Sequence, residues 1–233
     1  MKVAIHQPNF LPWPGYFHKY DQCDLMVHMD TAQHVRRDFD QRNWIHTPEG
    51  LKRRITVHIS GANRSSQPLN RVSLAQDNWR RKLQNLLYNS YHRAPFYQPH
   101  ADALLDIINH DWPALGELNL ALIAYLKDAL GIGTSSILLS SLGADLGQRN
   151  EQLINICHKV DADTYLSGQG ARDFLDEKQF RRAGIKVEFQ DYTPAKYPQI
   201  HSPFIPNLSV IDLLFNTGPQ ARNYLLGGSV AAT

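Results

Sequence analysis

The opening of the chain, Val3-Ala-Ile-His-Gln-Pro-Asn-Phe-Leu-Pro-Trp-Pro-Gly-Tyr-Phe17, constrains the fold more than any other stretch. A short apolar run passes into polar side chains, then into three prolines within seven residues, Pro8, Pro12 and Pro14. Proline fixes φ and lacks the N–H that a strand ladder needs, so a strand starting here ends near Ile5 or His6. The stiff loop beyond it places His6, Gln7 and Asn9 at the strand's carboxyl edge. In open α/β sheets that edge is where ligands bind.

Further strand-like runs appear at Asp24–His28, Arg53–Ile59, Ser136–Leu139, Thr164–Leu166 and Ile185–Phe189, with the first at Lys2–His6. Helical stripes separate the later ones. Trp79, Leu83, Leu86, Leu87 and Ser90 share a face after an Asp77 cap, and Leu115, Leu118, Leu122, Leu126 and Ala129 share one before Gly131. Leu153, Ile156, Cys157 and Val160 form a third stripe, and Asp173 to Ala183 reads as a helix closed by Gly184. Ser209-Val-Ile-Asp212 has the form of a capping box, and Gly218-Pro219 opens another short helix. Strand alternating with helix after Leu130 predicts parallel βαβ units. The expected fold is therefore α/β, a mostly parallel, Rossmann-like sheet with flanking helices. One domain over residues 1–226 is expected, carrying a helical insertion or layer at about 77–130, with a flexible tail at 227–233.

Basic and acidic residues nearly balance, 24 against 22, which gives no electrostatic footprint for nucleic acid. Cys23 and Cys157 are too few for a disulfide framework and lie in no C-x-x-C pair. No apolar run has bilayer length and no signal pattern opens the chain, so a cytoplasmic protein without membrane insertion is expected. Oligomeric state is not legible.

Four groups of residues carry possible chemistry. His6 can serve as a general base, a phosphate contact or a metal ligand, or can simply cap its strand; no partner stands at metal-ligand spacing, so no metal site is assigned. Trp13 and Tyr16 can stack on a base or sugar face or anchor the loop. A second polar group, Asp30 to Asn43, follows the second strand as one loop. In it Arg37 and Arg42 can fork around a phosphate or carboxylate, or pair with Asp38 and Asp40 on a solvated surface. Gly168 and Gly170, in Tyr165-Leu-Ser-Gly-Gln-Gly170, make either an anion-binding turn or a tight turn needing positive φ. Asn207 and Ser209 at a helix start are explained by capping.

Taken together, His6-Gln-Pro-Asn-Phe-Leu-Pro-Trp-Pro-Gly-Tyr-Phe17, Gln33 through Asn43, Tyr165 to Gly170 and Phe204-Ile-Pro-Asn-Leu-Ser-Val-Ile-Asp-Leu-Leu-Phe215 resemble the WbqC-like proteins. These are found among bacterial genes for O-antigen and other surface polysaccharides. The resemblance implies transfer of a glycyl or similar acyl group to an amino sugar. The polar positions that match are His6, Gln7, Asn9, Asp30, Gln33, Arg37, Arg42 and Asn43. Thr31 stands where many members have a second Asp, so a two-carboxylate scheme does not carry over, and Gln41 stands where Asn is common. The strand and Trp13-Pro-Gly-Tyr16 also resemble, more remotely, nucleotidyltransferases with a His-x-Gly-His signature. Both signature histidines are absent here, which leaves His6, His18 or Arg37 as phosphate contacts in that scheme.

On this resemblance the expected function is transfer of an aminoacyl or other acyl group to the amine of a nucleotide-linked sugar. His6 is the expected base and Asp30 the second choice. Asn9, Gln33 or Asn43 would meet the oxyanion, Arg37 and Arg42 the diphosphate, and Trp13 and Tyr16 a ring face. One alternative is an activating nucleotidyltransferase using ATP or CTP with Mg²⁺. The other is a non-catalytic sugar-nucleotide-binding subunit.

Overall fold

The computed structural model describes residues 1–36, 38–61, 67–143 and 146–227. Five strands, β1 (Lys2–His6), β2 (Leu25–His28), β5 (Ser135–Leu138), β6 (Thr164–Ser167) and β7 (Lys186–Phe189), form one sheet. Its order is β5-β2-β1-β6-β7 and every pairing is parallel. The fold is α/β, as the strand–helix alternation predicts. β1 ends at His6, where the proline loop begins, and His6 stands beside His28 in the ladder.

Both faces of a parallel sheet are covered, so its strands alternate between two apolar layers rather than between core and water. Val3, Ile5, Val27 and Tyr165 point into one layer with Ile156 and Cys157 of α5 (Arg149–Lys159) and Phe180 of α6 (Glu177–Arg182). Ala4, Met26 and Leu166 point into the other, against Tyr16, Phe17 and Tyr20 of α1 (Pro14–Asp21). That second layer continues into α2 (Trp79–Tyr91), α3 (Tyr97–Asn109) and α4 (Leu115–Ala129), then α7 (Val210–Thr217) and α8 (Ala221–Leu225). The stripe Leu115, Leu118, Leu122 and Leu126 is fully buried. Gly131 (φ +67°) ends α4 in the left-handed region that a side chain resists. The N-cap of α2 is Asn78 and not the expected Asp77, which lies one residue earlier and accepts from Trp79 N through Oδ1 at 2.9 Å.

Three local expectations need correction. Residues 30–43 are not one loop, because Arg42 and Asn43 belong to β3 (Arg42–His46), which pairs antiparallel with β4 (Lys52–Thr56) as a separate hairpin. Its pattern is hidden by polar residues whose stems cover an aromatic ring: the Arg54 guanidinium sits 4.5 Å from the Trp44 centroid. The Asp173–Ala183 helix is broken: a 3₁₀ turn spans Gln169–Phe174, and α6 starts anew where Asp176 accepts from Lys178 N and Gln179 N. Ser209 and Asp212 form no capping box. The Ser209 hydroxyl donates to the Leu11 carbonyl (2.7 Å), and the Asp212 carboxylate accepts from Tyr91, Tyr197 and Gln199. Tertiary partners outcompete the local ones there.

Among the described residues no helix is long and apolar enough to cross a membrane. Cys23 and Cys157 are free and buried. The expected tail lies, beyond Gly227, outside the described residues.

Candidate functional site

From β1 the chain builds β2 and then β5 toward one edge, then returns to the other side of β1 for β6 and β7. The strand order reverses between β1 and β6, which is the topological switch point where such sheets leave a crevice. A crevice of about 440 Å³ lies there, lined by the ends of β1 and β6, the start of α1, and the segment after β7.

His6 forms its floor. Its Nδ1 lies 2.9 Å from the Gln7 carbonyl, so that nitrogen carries the proton and Nε2 presents a lone pair. Burial, and secondly the charge of Lys19, push its pKa down to about 3, so the imidazole is neutral near pH 7. The Tyr16 ring packs edge-on against His6 at 4.9 Å, and its hydroxyl lies 3.2 Å from His28 Nδ1. Burial also lowers His28 to about 4. Below the loop, then, two neutral imidazoles flank one phenol.

The aromatic wall depends on Gly15. A Cβ there would run into the Trp13 indole, so only glycine lets that ring fold over the start of α1. Trp13 meets Tyr192 edge-on at 5.4 Å. Gln190 locks this side: its amide lies 2.7 Å from the Gly15 carbonyl and 2.9 Å from His18 Nδ1. Its backbone N–H donates to the Ser167 carbonyl at 2.8 Å, and its carbonyl accepts from the Gln169 amide at 2.9 Å. His18 therefore sits behind the wall, its pKa lowered mainly by burial.

Lys19 enters from α1 and is 6% exposed. Its ammonium has no hydrogen bond or ion pair among the described residues. Nζ lies over the end of β6, 3.2 Å from where a Cβ on Gly168 would stand. Among the described residues no Asp or Glu lines the crevice. The Cys23 thiol nearby is pushed up to about 12 by burial and is no counter-ion. Burial lowers Lys19 to about 8.

Of the expected site residues, His6, Trp13, Tyr16, Gly168 and Gly170 line the crevice, while His18 and the Gln7 carbonyl support it. Asn9, Asp30, Gln33, Arg42 and Asn43 do not line it. Asn43 is structural, donating to the Phe10 and Leu11 carbonyls at 3.3 and 2.7 Å. Asp30 is buried and accepts from Ser140 N at 3.0 Å, tying the end of β2 to the turn after β5. Gln33 bridges to Pro68, and Asn9 is buried with Oδ1 unpartnered among the described residues. Arg37 lies outside the described residues. Lys19, Ser167, Gln190 and Tyr192 were not expected. Gln190 directly follows the last strand and so obeys the same strand-end rule, and Lys19 stands one helical turn beyond Tyr16. Among the described residues no three His, Cys, Asp or Glu side chains assemble a metal site.

Residues 7–224, from the proline loop through α8, match the WbqC-like protein family. The chain belongs to that family. A relative from Mycobacterium tuberculosis (strain ATCC 25618 / H37Rv), the uncharacterized protein Rv1507c, is 34% identical over 227 residues, covering 96% of this chain and 97% of the relative. No solved structure matches the chain. In this WbqC-like protein the loop motif and the Tyr165–Gly170 motif meet at the crevice, whereas the Phe204–Phe215 motif props the loop from behind.

Proposed function

We propose that this WbqC-like protein is a transferase that places an aminoacyl or other acyl group on the amine of a nucleotide-linked amino sugar, in surface polysaccharide assembly. The observation that carries the reading is His6: a neutral imidazole at the switch point, its Nε2 lone pair facing the crevice beside the aromatic wall of Trp13 and Tyr192. A sugar ring stacks on such a wall, and its amine then lies within reach of the imidazole.

A primary amine attacks an acyl carbon as the free base, and the new C–N bond makes its two protons acidic. Nε2 of His6 takes one of them as the leaving group departs, and the other stays on the amide. Burial first and Lys19 second depress the basicity of His6. A ligand anion opposite Lys19 cancels the second cause and raises it. The Ser167 hydroxyl, which lines the crevice and donates to the Gly168 carbonyl at 3.4 Å, would turn to the developing oxyanion.

The test incubates the protein with UDP- or dTDP-amino sugars and activated acyl donors, and reads acylated sugar by mass spectrometry. His6→Gln is expected to lose about a hundredfold or more in turnover. Equal turnover by His6→Gln and wild type removes His6 as base, and absence of product with every donor sinks the transferase.

The strand order, with β1 central and the crevice at its end, also favours nucleotidyl transfer, because doubly wound mononucleotide-binding sheets share it. The crevice lining gives a Mg²⁺ ion no carboxylate, so magnesium would arrive on the phosphates of the nucleotide substrate. Pyrophosphate release from ATP or CTP would select this reading. Ligand binding without turnover would select the non-catalytic subunit.

A further inference from the structure

We propose that the crevice between β1 and β6 binds its ligand by a phosphate group, and that Lys19 is the residue that holds it. This rests on the reading above for the reacting site, and adds the group by which the substrate is recognised.

A lysine that is 6% exposed, with no acceptor among the described residues, is an arrangement folding works against. Burying a charge is costly unless it is paired, and the usual remedy is a nearby carboxylate. Among the described residues none lines this crevice, and the ionisable groups coupled to Lys19, His6 and Cys23, are held neutral by their burial. The missing negative charge is therefore the ligand's. The cavity beside β4 and α2, about 480 Å³ and lined by Arg53, Arg54 and Lys82, carries more positive charge. Its cations are solvated at the surface and need no counter-ion, so it implies no ligand.

Geometry favours phosphate over carboxylate. An ammonium is a compact point charge that suits a tetrahedral, multiply charged oxyanion, whereas planar carboxylates are typically taken by the guanidinium fork. Gly168 leaves the end of β6 bare just where Nζ arrives, so a bulky anion meets backbone there and not a side chain. Trp13 and Tyr192 then face the rest of the molecule, as a base or sugar requires.

The test uses inorganic pyrophosphate and UDP as probes against uridine, by titration calorimetry and thermal shift, on wild type, Lys19→Met and Lys19→Arg. Pyrophosphate and UDP are expected to bind and stabilise the wild type, with uridine far weaker. Lys19→Met should lose about tenfold or more in affinity for both probes while melting no lower than wild type. Wild-type affinity should also decline as Lys19 loses its proton above about 8, a decline absent in Lys19→Arg. That pH series needs no folded Lys19→Met. Failure of pyrophosphate and UDP to bind wild type, equal binding by Lys19→Met, or wild-type affinity flat through the Lys19 titration overturns the proposal. Phosphate binding at Lys19 without acyl transfer would sink the transferase and leave this site standing. Acyl transfer to a phosphate-free amino sugar, unchanged in Lys19→Met, would do the reverse.

Discussion

The ammonium of Lys19 and the bare Cα of Gly168 face each other across the switch point, with Nζ 3.2 Å from where a Cβ on the glycine would project. One residue comes from the first helix, the other from the turn after the fourth strand of the sheet in chain order. Their meeting joins the two motifs that the sequence places about 150 positions apart, and it makes the crevice electropositive.

Gly168→Ala is expected to fold, because the contact is with the end of a flexible side chain, and to cost about 1 kcal/mol of stability. The methyl displaces Nζ from the end of β6, so pyrophosphate affinity should drop several-fold. Thermal melts and calorimetry on the same preparation separate the two effects, and unchanged affinity would show that Gly168 is not needed for the site.

Stability should rise with pH where Lys19 titrates. Its folded pKa, about 8, lies below the ordinary lysine value of 10.5. Between the two the unfolded chain binds more protons, so raising the pH favours the fold, by up to about 3 kcal/mol in total. Buried tyrosines such as Tyr16 are shifted upward and oppose this above about pH 10. The wild-type minus Lys19→Met difference in urea midpoint cancels them and should grow steadily from neutral pH into that window.

In acid the sign is the same, because the buried histidines too are bases whose folded pKa is depressed. His6 and His28 have folded values of about 3 and about 4, below the usual 6.5. As pH falls below the usual value the unfolded chain takes up protons that the folded one refuses, so stability drops by up to about 1.4 kcal/mol per pH unit for each histidine. His6→Gln should flatten that slope measurably in denaturant melts, and a wild-type slope retained in full would contradict the burial of a neutral His6.

The Leu11 carbonyl accepts from both Asn43 Nδ2 and Ser209 Oγ, each at 2.7 Å, while Leu11 itself holds a φ of +41°. Ser209→Ala is expected to cost about 1 kcal/mol, and Asn43→Ala about 2–3, since it removes the donor to the Phe10 carbonyl and one of the two donors to the Leu11 carbonyl. The double variant should cost more than the sum, because only then does the Leu11 carbonyl lose both of these donors. Chemical denaturation of the four proteins in the cycle checks this, and strict additivity would mean the loop is not held at that point.

Much of the scaffold was legible because its rules are local. Prolines end a strand wherever they fall, so β1 stops at His6. The leucine stripe of α4 and its glycine stop need only helical geometry. β3 was not legible, since Trp44 is covered by the cationic groups of Arg54 and Lys52 on a neighbouring strand. The site divided in the same way. His6, Trp13 and Tyr16 follow from the strand-end loop, and Gly168 and Gly170 from the turn after β6. Asn43 was misread as facing a ligand and Ser209 as a helix cap, because the sequence does not show which distant carbonyl a polar side chain will meet.

The sequence by itself determined that a parallel α/β sheet would end β1 in a rigid aromatic loop, because φ restriction and hydrophobic period act over a few residues. Only the tertiary structure decided that Lys19 is the unpaired charge of the crevice. A lysine in an amphipathic helix has no counter-ion, and no lack of one, until the strand order brings β6 beside β1, buries its stem and points it into a crevice that, among the described residues, no carboxylate lines.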